Sequence, residues 1–490
     1  LVADSTGGIF YTRIEDTDKK REVEGGIADI IGGIKRFGIK IDEGFTEADK
    51  ETGDYGPYKQ SERAEIYQCY AKSLIKQGLA YPCFCTEDEL AKIREEQEAL
   101  KVRTGYHGKW ARHRDITYDE AKKLIDEGKP FVVRLRSPGS EENKVIFEDG
   151  IKGKIEMPEN DEDFVILKSD GIPTYHFAHA VDDHLMRTTH VIRGEEWLPS
   201  LPKHIQLFSY LGFRLPKYMH ISQIMRLDEN GNKKKLSKRD MGANMDDYAR
   251  LGYAPACVCE YVMTLLNSNY EEWHAQNPDK AYTDFPFNIK KMSSSGCLFD
   301  FNKLNDVSKN VLSRMSAEDI CRQVTDWALT YDPAFGALLA ADPAYATAIF
   351  AIGRGGKKPR KDLAVFADAK PYMGFFYDEL FCVQDEIDAR FDRVDIAAAL
   401  DGFLATFSID DDMNTWFEKI KTLAESLGYT ADMKAYKADP AAYRGSVADI
   451  SMFLRVAVTG KLNAPDLWTV MQILGADRTA ARIRAFRASL

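Results

Sequence analysis

The chain has 490 residues, 44% hydrophobic and 29% charged, with a formal net charge of −11. That describes an ordinary soluble globular protein of about three domains with ample core. The acidic balance argues against general coating of DNA but leaves RNA open, because phosphate contacts depend on local basic patches.

No uninterrupted apolar run is long enough to cross a bilayer; residues 256–266 are too short and carry Glu260. The eight cysteines show no framework spacing and no secretory signal is read in the sequence, so a reducing cytosol is the expected compartment.

The chain starts at Leu1, and Gly7-Gly8 leads within a few residues into a strand over 9–14, so the sequence is expected to open inside a domain. The acidic turn Glu15-Asp16-Thr17-Asp18 and a helix over about 22–37 make the start of an α/β unit. Gly56-Pro57-Tyr58-Lys59-Gln60-Ser61 reads as a loop ending in an N-cap. The helix it opens sets Ile66, Tyr70, Leu74 and Ile75 on one face and stops at Gly78. Two capping boxes, Thr86-x-x-Glu89 and Thr117-x-x-Glu120, open further helices. Strand patterns follow over 131–135, 145–148 and 164–168. Pro173 suits the first turn of a helix through Tyr175, His179 and Asp183. A buried strand over 189–192 then leads to Arg193-Gly194-Glu195-Glu196-Trp197 and a helix to Leu211. Residues 267–295 are polar and turn-rich, and from Ala317 onward Ala-rich amphipathic segments replace strand signals. The front half is α/β and the back half all-helical.

One stretch stands apart from the acidic background. Lys233, Lys234, Lys235, Lys238 and Arg239 put five cations into seven residues after the turn Asp228-Glu229-Asn230-Gly231-Asn232, so a loop is expected. Lysines act as mobile point charges on phosphate oxygens, and Ser237 adds a short donor, a combination suited to a polyphosphate. A solvated charge run reads the same letters more simply. The other motifs decide between the two.

Arg13-Ile14-Glu15-Asp16-Thr17-Asp18, Gly56-Pro57-Tyr58-Lys59-Gln60-Ser61-Glu62-Arg63, Pro173-Thr174-Tyr175-His176, Val181-Asp182-Asp183-His184, Val191-Ile192-Arg193-Gly194-Glu195-Glu196-Trp197 and Lys235-Leu236-Ser237-Lys238-Arg239 occur in that order. The set closely resembles bacterial-type glutamyl-tRNA synthetases, class I aminoacyl-tRNA synthetases, and Leu454-Arg455-Val456-Ala457-Val458-Thr459-Gly460 extends the resemblance towards the C-terminus. Six ordered motifs are far more specific than any one of them. The resemblance implies an α/β Rossmann-like catalytic domain (1–60 and 180–240) with an inserted α+β connective domain over 61–179. A stem-contact domain (241–320) and an all-α anticodon-binding domain (321–490) would follow.

The implied reaction joins L-glutamate to tRNA(Glu) through glutamyl-adenylate, with ATP and Mg²⁺ as cofactors. By resemblance, Lys235, Ser237 and Lys238 are catalytic, and Lys235, Lys238 and Glu196 meet ATP. Glu15 would hold the substrate α-ammonium, and Arg193 would pair with a substrate carboxylate, a task suited to its planar fork. A salt bridge from Arg193 to Glu195 or Glu196 is the competing account. Tyr175 and His179 would line the amino-acid pocket; His179 departs from the Asn usual there and would serve as a hydrogen-bond donor. Asp182, Asp183 and His184 are expected to be scaffold. Arg360 would read the anticodon, with Lys357 and Lys358 supplying affinity. The partners implied are tRNA(Glu), L-glutamate and ATP, with neither DNA nor membrane, for a monomer in the cytoplasm.

Cys83-Phe84-Cys85 sits where some members of the family bind structural zinc. The second ligand pair is irregular: Trp110 stands about where a cysteine is expected, and His107 and His113 are the nearby imidazoles. No metal is therefore expected, with Cys83 and Cys85 as weak zinc candidates. Cys257 and Cys259 read as core.

The resemblance also implies roughly thirty residues ahead of Leu1, a strand and a helix carrying a His-Ile-Gly-His-like element. On that expectation the 490-residue chain binds tRNA but forms no adenylate. The alternatives are an enzyme that also charges tRNA(Gln) and a non-catalytic tRNA-binding relative.

Overall fold

The computed structural model describes every residue except 19–23, 237–239, 241 and 243, so Ser237 and Lys238 lie outside the described residues. The chain divides into two units, Leu1–Asp240 with Val262–Phe299, and Met241–Tyr261 with Asp300–Leu490.

In the first unit a short helix α1 (Val2–Thr6) precedes β1 (Tyr11–Thr12), which pairs parallel with β2 (Glu43–Glu47) after a crossover through α2 (Gly26–Arg36). The strand expected over 9–14 is cut to two residues, with Ile14 adding one bridge to Lys59. β2 turns back into β3 (Lys50–Thr52). Gly44 is required here: it has φ +88°, and a Cβ would lie 1.9 Å from the Thr12 carbonyl oxygen.

Next come α3 (Ala64–Lys76), β4 (Ala80–Cys83), α4 (Glu87–Ala99), α5 (Tyr118–Asp126), β5 (Val132–Leu135), β6 (Lys144–Asp149), β7 (Gly153–Pro158) and β8 (Val165–Leu167). Strands β4, β5 and β8 form an antiparallel sheet and β6–β7 a hairpin. Both capping boxes form, Thr86 accepting from the Glu89 N–H and Thr117 from the Glu120 N–H. Ser61 is not an N-cap. It lies in a 3-10 turn over Gln60–Arg63, and its N–H donates to Asp16. The buried face of α3 is Tyr67, Ala71 and Leu74, with Ile66, Tyr70 and Ile75 flanking it. Apolar residues at adjacent positions leave the helical period unable to choose between neighbouring stripes.

Helix α6 (Tyr175–Leu185) begins after Thr174 rather than at Pro173, and the domain limit expected at 179/180 falls within it. Strands β9 (His190–Gly194) and β10 (Lys217–Ile221) pair parallel around α7 (Leu201–Leu211), in a register that sets His220 opposite Arg193. Leu74, Leu135, Ile166, Phe177, Val181, Leu207 and Phe208 form the core that joins α3, α6 and α7 to the β5–β8 sheet.

The cationic run does not begin as a loop. β11 (Ile224–Leu227) turns at Asp228, whose carboxylate accepts the N–H groups of Asn230 and Asn232, and returns as β12 (Lys233–Lys235). β13 (Cys297–Leu298) pairs along the other side of β11. Lysines suit an exposed edge strand as well as a loop, which is why composition alone misreads it.

The second unit is helical among the described residues. Asp332-Pro333 and Asp342-Pro343 each start a helix with an aspartate N-cap and proline in the first turn. Its core includes Cys257, Leu312, Phe335, Phe376, Phe403, Phe453 and Leu467. Among the described residues no single helix is long and apolar enough to cross a membrane.

Candidate active site

The site rests on α6. Asp182, fully buried, accepts from Gln60 Nε2 (2.9 Å), Arg63 Nε (2.8 Å) and Tyr67 Oη (2.7 Å). The 56–63 motif is therefore pinned to the 181–184 motif, and Asp182 is scaffold as expected. Asp183 accepts from Arg13 Nη1 at 2.8 Å and faces His179 Nδ1 at 3.0 Å. Burial alone would raise its pKa, but His179 and Arg13 hold it well below the usual carboxylate range. His179 Nε2 in turn meets the Tyr218 hydroxyl at 2.7 Å. Both His179 nitrogens are thus occupied within the protein.

Arg193 comes from β9 and is held by two imidazoles. Its Nε donates to His220 Nε2 at 3.0 Å and its Nη1 faces His204 Nδ1 at 3.1 Å. His204 continues to His176 (2.9 Å), and His220 Nδ1 lies 2.7 Å from Asp149 Oδ2. Nη2 is buried and has no hydrogen-bond partner among the described residues. Arg193 makes no ion pair with Glu195 or Glu196: Lys152 takes Glu195, and the Glu196 carboxylate folds back over Gly194.

A concavity of about 1050 Å³ opens beside these groups, lined in part by Glu15, Lys59, Lys168, Tyr175, His176 and Trp197. Tyr175 packs against Trp197 at 4.5 Å between ring centroids and stacks on His179 at 5.8 Å. Burial raises the Tyr175 phenol pKa, and the neighbouring Arg193 charge partly offsets this. Crowding likewise raises the Glu15 carboxyl, with Arg13 pulling against it. Tyr175 in this wall is thus acted on by two opposite charges, the Glu15 carboxyl and the half-buried Arg193 guanidinium, although Arg193 is not itself among the residues lining the concavity.

Lys235 is exposed at the end of β12, and its charge reaches Glu195. The Glu195 carboxyl is lowered first by its hydrogen bond from Lys152 and to a smaller degree by Lys235. The cationic hairpin and Arg193 thus lie around one stretch of chain, residues 193–196.

Residues 1–306 match the family described as tRNA synthetases class I (E and Q), catalytic domain. The chain belongs to that family. Residues 441–487 match the family described as anticodon binding domain. A glutamate–tRNA ligase of Acetivibrio thermocellus is 48% identical over 484 residues, covering 99% of this chain and 88% of that protein. One from Sorangium cellulosum is 46% identical, covering 98% of this chain and 89% of its own length. The crystal structure of a glutamate tRNA ligase from Elizabethkingia meningosepticum in complex with its amino acid superposes with a TM-score of 0.79 at 28% identity, over 100% of this chain and 94% of that one.

In this class I synthetase the second unit places Arg360 in a fixed pose. Its Nε and Nη2 grip the Asp362 carboxylate (2.7 and 3.1 Å), and Nη2 also donates to the Tyr372 hydroxyl at 2.8 Å. Gly353 makes room for the arginine stem: a Cβ there, at φ +71°, would lie 2.6 Å from Arg360 Cδ. Lys357 and Lys358 are exposed. Arg354, from the same cationic patch, instead donates to the Phe350, Leu312 and Met315 carbonyls and closes helix ends.

His113 joins Cys83 and Cys85, with ligand atoms all within 4.8 Å of one another. His107 does not, since its Nε2 lies by the Arg103 carbonyl. Hydrogen bonding with Cys85 holds the Cys83 thiol down at about 4, while the same contact raises Cys85. These three residues could hold a metal ion; no fourth ligand joins them among the described residues.

Sequence reasoning missed His204, His220 and Asp149. A histidine on an apolar helix face or within a short strand reads as core; the β9–β10 register brings His220 to Arg193, α7 supplies His204, and Asp149 reaches His220 from the end of β6.

Proposed function

We propose, against the expectation that the 490-residue chain forms no adenylate, that it ligates L-glutamate to tRNA(Glu) in two steps. A glutamate carboxylate oxygen attacks the α-phosphorus of ATP, forming glutamyl-adenylate and releasing pyrophosphate. The 2′-hydroxyl of the terminal adenosine then takes the acyl group and AMP leaves. The observation that carries this reading is that the Glu15 carboxyl and the Arg193 guanidinium both act on the Tyr175 phenol, an anion and a cation suited to one amino acid.

Glu15 holds the α-ammonium, and Arg193 presents its remaining N–H groups to a substrate carboxylate. Tyr175 forms the wall between them. His179 contributes its ring face against Tyr175 and buttresses Tyr218, since its nitrogens are taken. Lys235 meets the triphosphate charge that builds as pyrophosphate departs; Ser237 and Lys238 share this role in our reading. Mg²⁺, when bound with the nucleotide, would neutralise phosphate charge. The exposed Glu196 carboxylate, unlike Glu195, is not engaged by Lys152, which suits a metal–nucleotide ligand.

Residues 241–320 then face the tRNA stem, and within 321–490 Arg360 reads the anticodon with Lys357 and Lys358 on phosphate. We place the enzyme in the cytosol as a monomer, with neither DNA nor membrane as partner. Charging of tRNA(Gln) and a non-catalytic role are not favoured, given ligase relatives that span 98–99% of the chain.

The test is glutamate- and tRNA-dependent ATP–pyrophosphate exchange. Lys235→Ala should lower the rate about a hundredfold with the glutamate KM little changed. Arg193→Ala should raise the glutamate KM. Unchanged exchange in both variants would refute the assignment.

A further inference from the structure

We propose that His204 and His220 are positioning residues for the glutamate site, two neutral imidazoles that orient the Arg193 fork by accepting hydrogen bonds from it. The inference rests on the reading of Arg193 as the carboxylate-binding residue.

Arginine can only donate. His220 Nε2, 3.0 Å from Arg193 Nε, and His204 Nδ1, 3.1 Å from Nη1, must therefore both carry lone pairs. The His220 proton then resides on Nδ1, directed at Asp149 Oδ2 at 2.7 Å. Asp149 is itself fixed by the N–H groups of Ile151 and Lys152, each at 2.9 Å. The His204 proton resides on Nε2 and points to His176 Nδ1 at 2.9 Å, which assigns the His176 proton to its own Nε2. The chain of hydrogen bonds admits one set of tautomers. Burial supports it by lowering both His204 and His176, so neither ring competes with Arg193 as a second cation.

The usual way to hold a buried arginine is a carboxylate directly on its fork. Such a partner would occupy the N–H groups a substrate needs and neutralise the charge that attracts it. Among the described residues no carboxylate forms an ion pair with Arg193, and Asp149 is separated from it by the His220 ring. Two rings with 0% exposure fix the direction of the fork. The Tyr218 ring, 4.6 Å from the guanidinium carbon, closes one face. Among the described residues Nη2 has no hydrogen-bond partner. The result is a rigid donor whose charge remains available to an incoming carboxylate.

The experiment titrates L-glutamate calorimetrically into the full chain and its variants, each checked for an unchanged far-ultraviolet dichroism spectrum. His204→Phe and His220→Phe keep ring shape without the acceptor and should each weaken binding about tenfold. His204→Asn and His220→Gln return an acceptor near the Nδ1 and Nε2 positions and should bind within about threefold of the parent. If the phenylalanine variants bind like the parent while Arg193→Ala does not, the positioning role is wrong. If Arg193→Ala also binds like the parent, the carboxylate reading beneath it is wrong. Should the phenylalanine variants not fold, the ¹⁵N shifts of the histidine rings in the unsubstituted protein decide. His204 Nδ1 and His220 Nε2 should each be the ring nitrogen without a proton, and a proton on either overturns the proposal.

Discussion

Arg63 donates from Nε to Asp182 Oδ1 at 2.8 Å, with side chains 2% and 0% exposed. Removing the carboxylate leaves a buried guanidinium whose remaining Nη1 bonds, to the Tyr55 and Pro57 carbonyls, cannot neutralise it. Asp182→Ala should therefore cost about 3–5 kcal/mol of unfolding free energy. Arg63→Met in the Asp182→Ala background should cost much less than Arg63→Met alone. Urea denaturation measures both, and a loss below about 1 kcal/mol for Asp182→Ala would count against the scaffold role.

Asp183 makes stability depend on acid. Its folded pKa is depressed by His179 and Arg13 against the effect of burial. The unfolded carboxyl titrates near about 3.9, so below that value the unfolded chain binds the extra proton first. The stabilisation is complete above about pH 4 and is lost as pH falls further. Asp183→Asn should be less stable at neutral pH and show a shallower loss of stability below about pH 4. Equal slopes in the two proteins would contradict this.

Arg360 is held as a fork by Asp362 and Tyr372. Replacing it with lysine keeps the charge and loses the planar geometry. Arg360→Lys should weaken tRNA(Glu) binding about tenfold with little change in its salt dependence. Lys357→Ala with Lys358→Ala should instead reduce the salt slope by about two. Filter binding across a salt series separates these effects, and Arg360→Lys binding with parental affinity would remove Arg360 from the anticodon site.

Cys83, Cys85 and His113 provide three ligands where a closed structural zinc site has about four. Protein passed through a chelating buffer should retain clearly less than about one equivalent of zinc. Stoichiometric retention, measured by atomic absorption, would reveal a fourth ligand and correct the expectation of a metal-free site.

The catalytic half was legible where a motif acts locally. Glu15 follows a strand, Arg193 lies near the end of one, and the Thr86 and Thr117 capping boxes need only their own turn. Errors arose where one pattern serves two structures. Three lysines can be a loop or an edge strand, and β12 is the latter. Ser61 resembles an N-cap but lies in a 3-10 turn. Arg354 and Arg360 share one basic patch, yet one closes helix ends and the other stands beside Asp362.

The sequence by itself determined the family, the reaction and the order of the parts, because motif spacing and residue chemistry are properties of the chain. Tertiary structure decided how Arg193 is held. His204 becomes its neighbour only through helix packing and His220 through a parallel register that sets it opposite Arg193, while Asp149 meets His220 from the end of β6. Register is set by the burial of whole strand faces, a collective property that no single residue pattern announces.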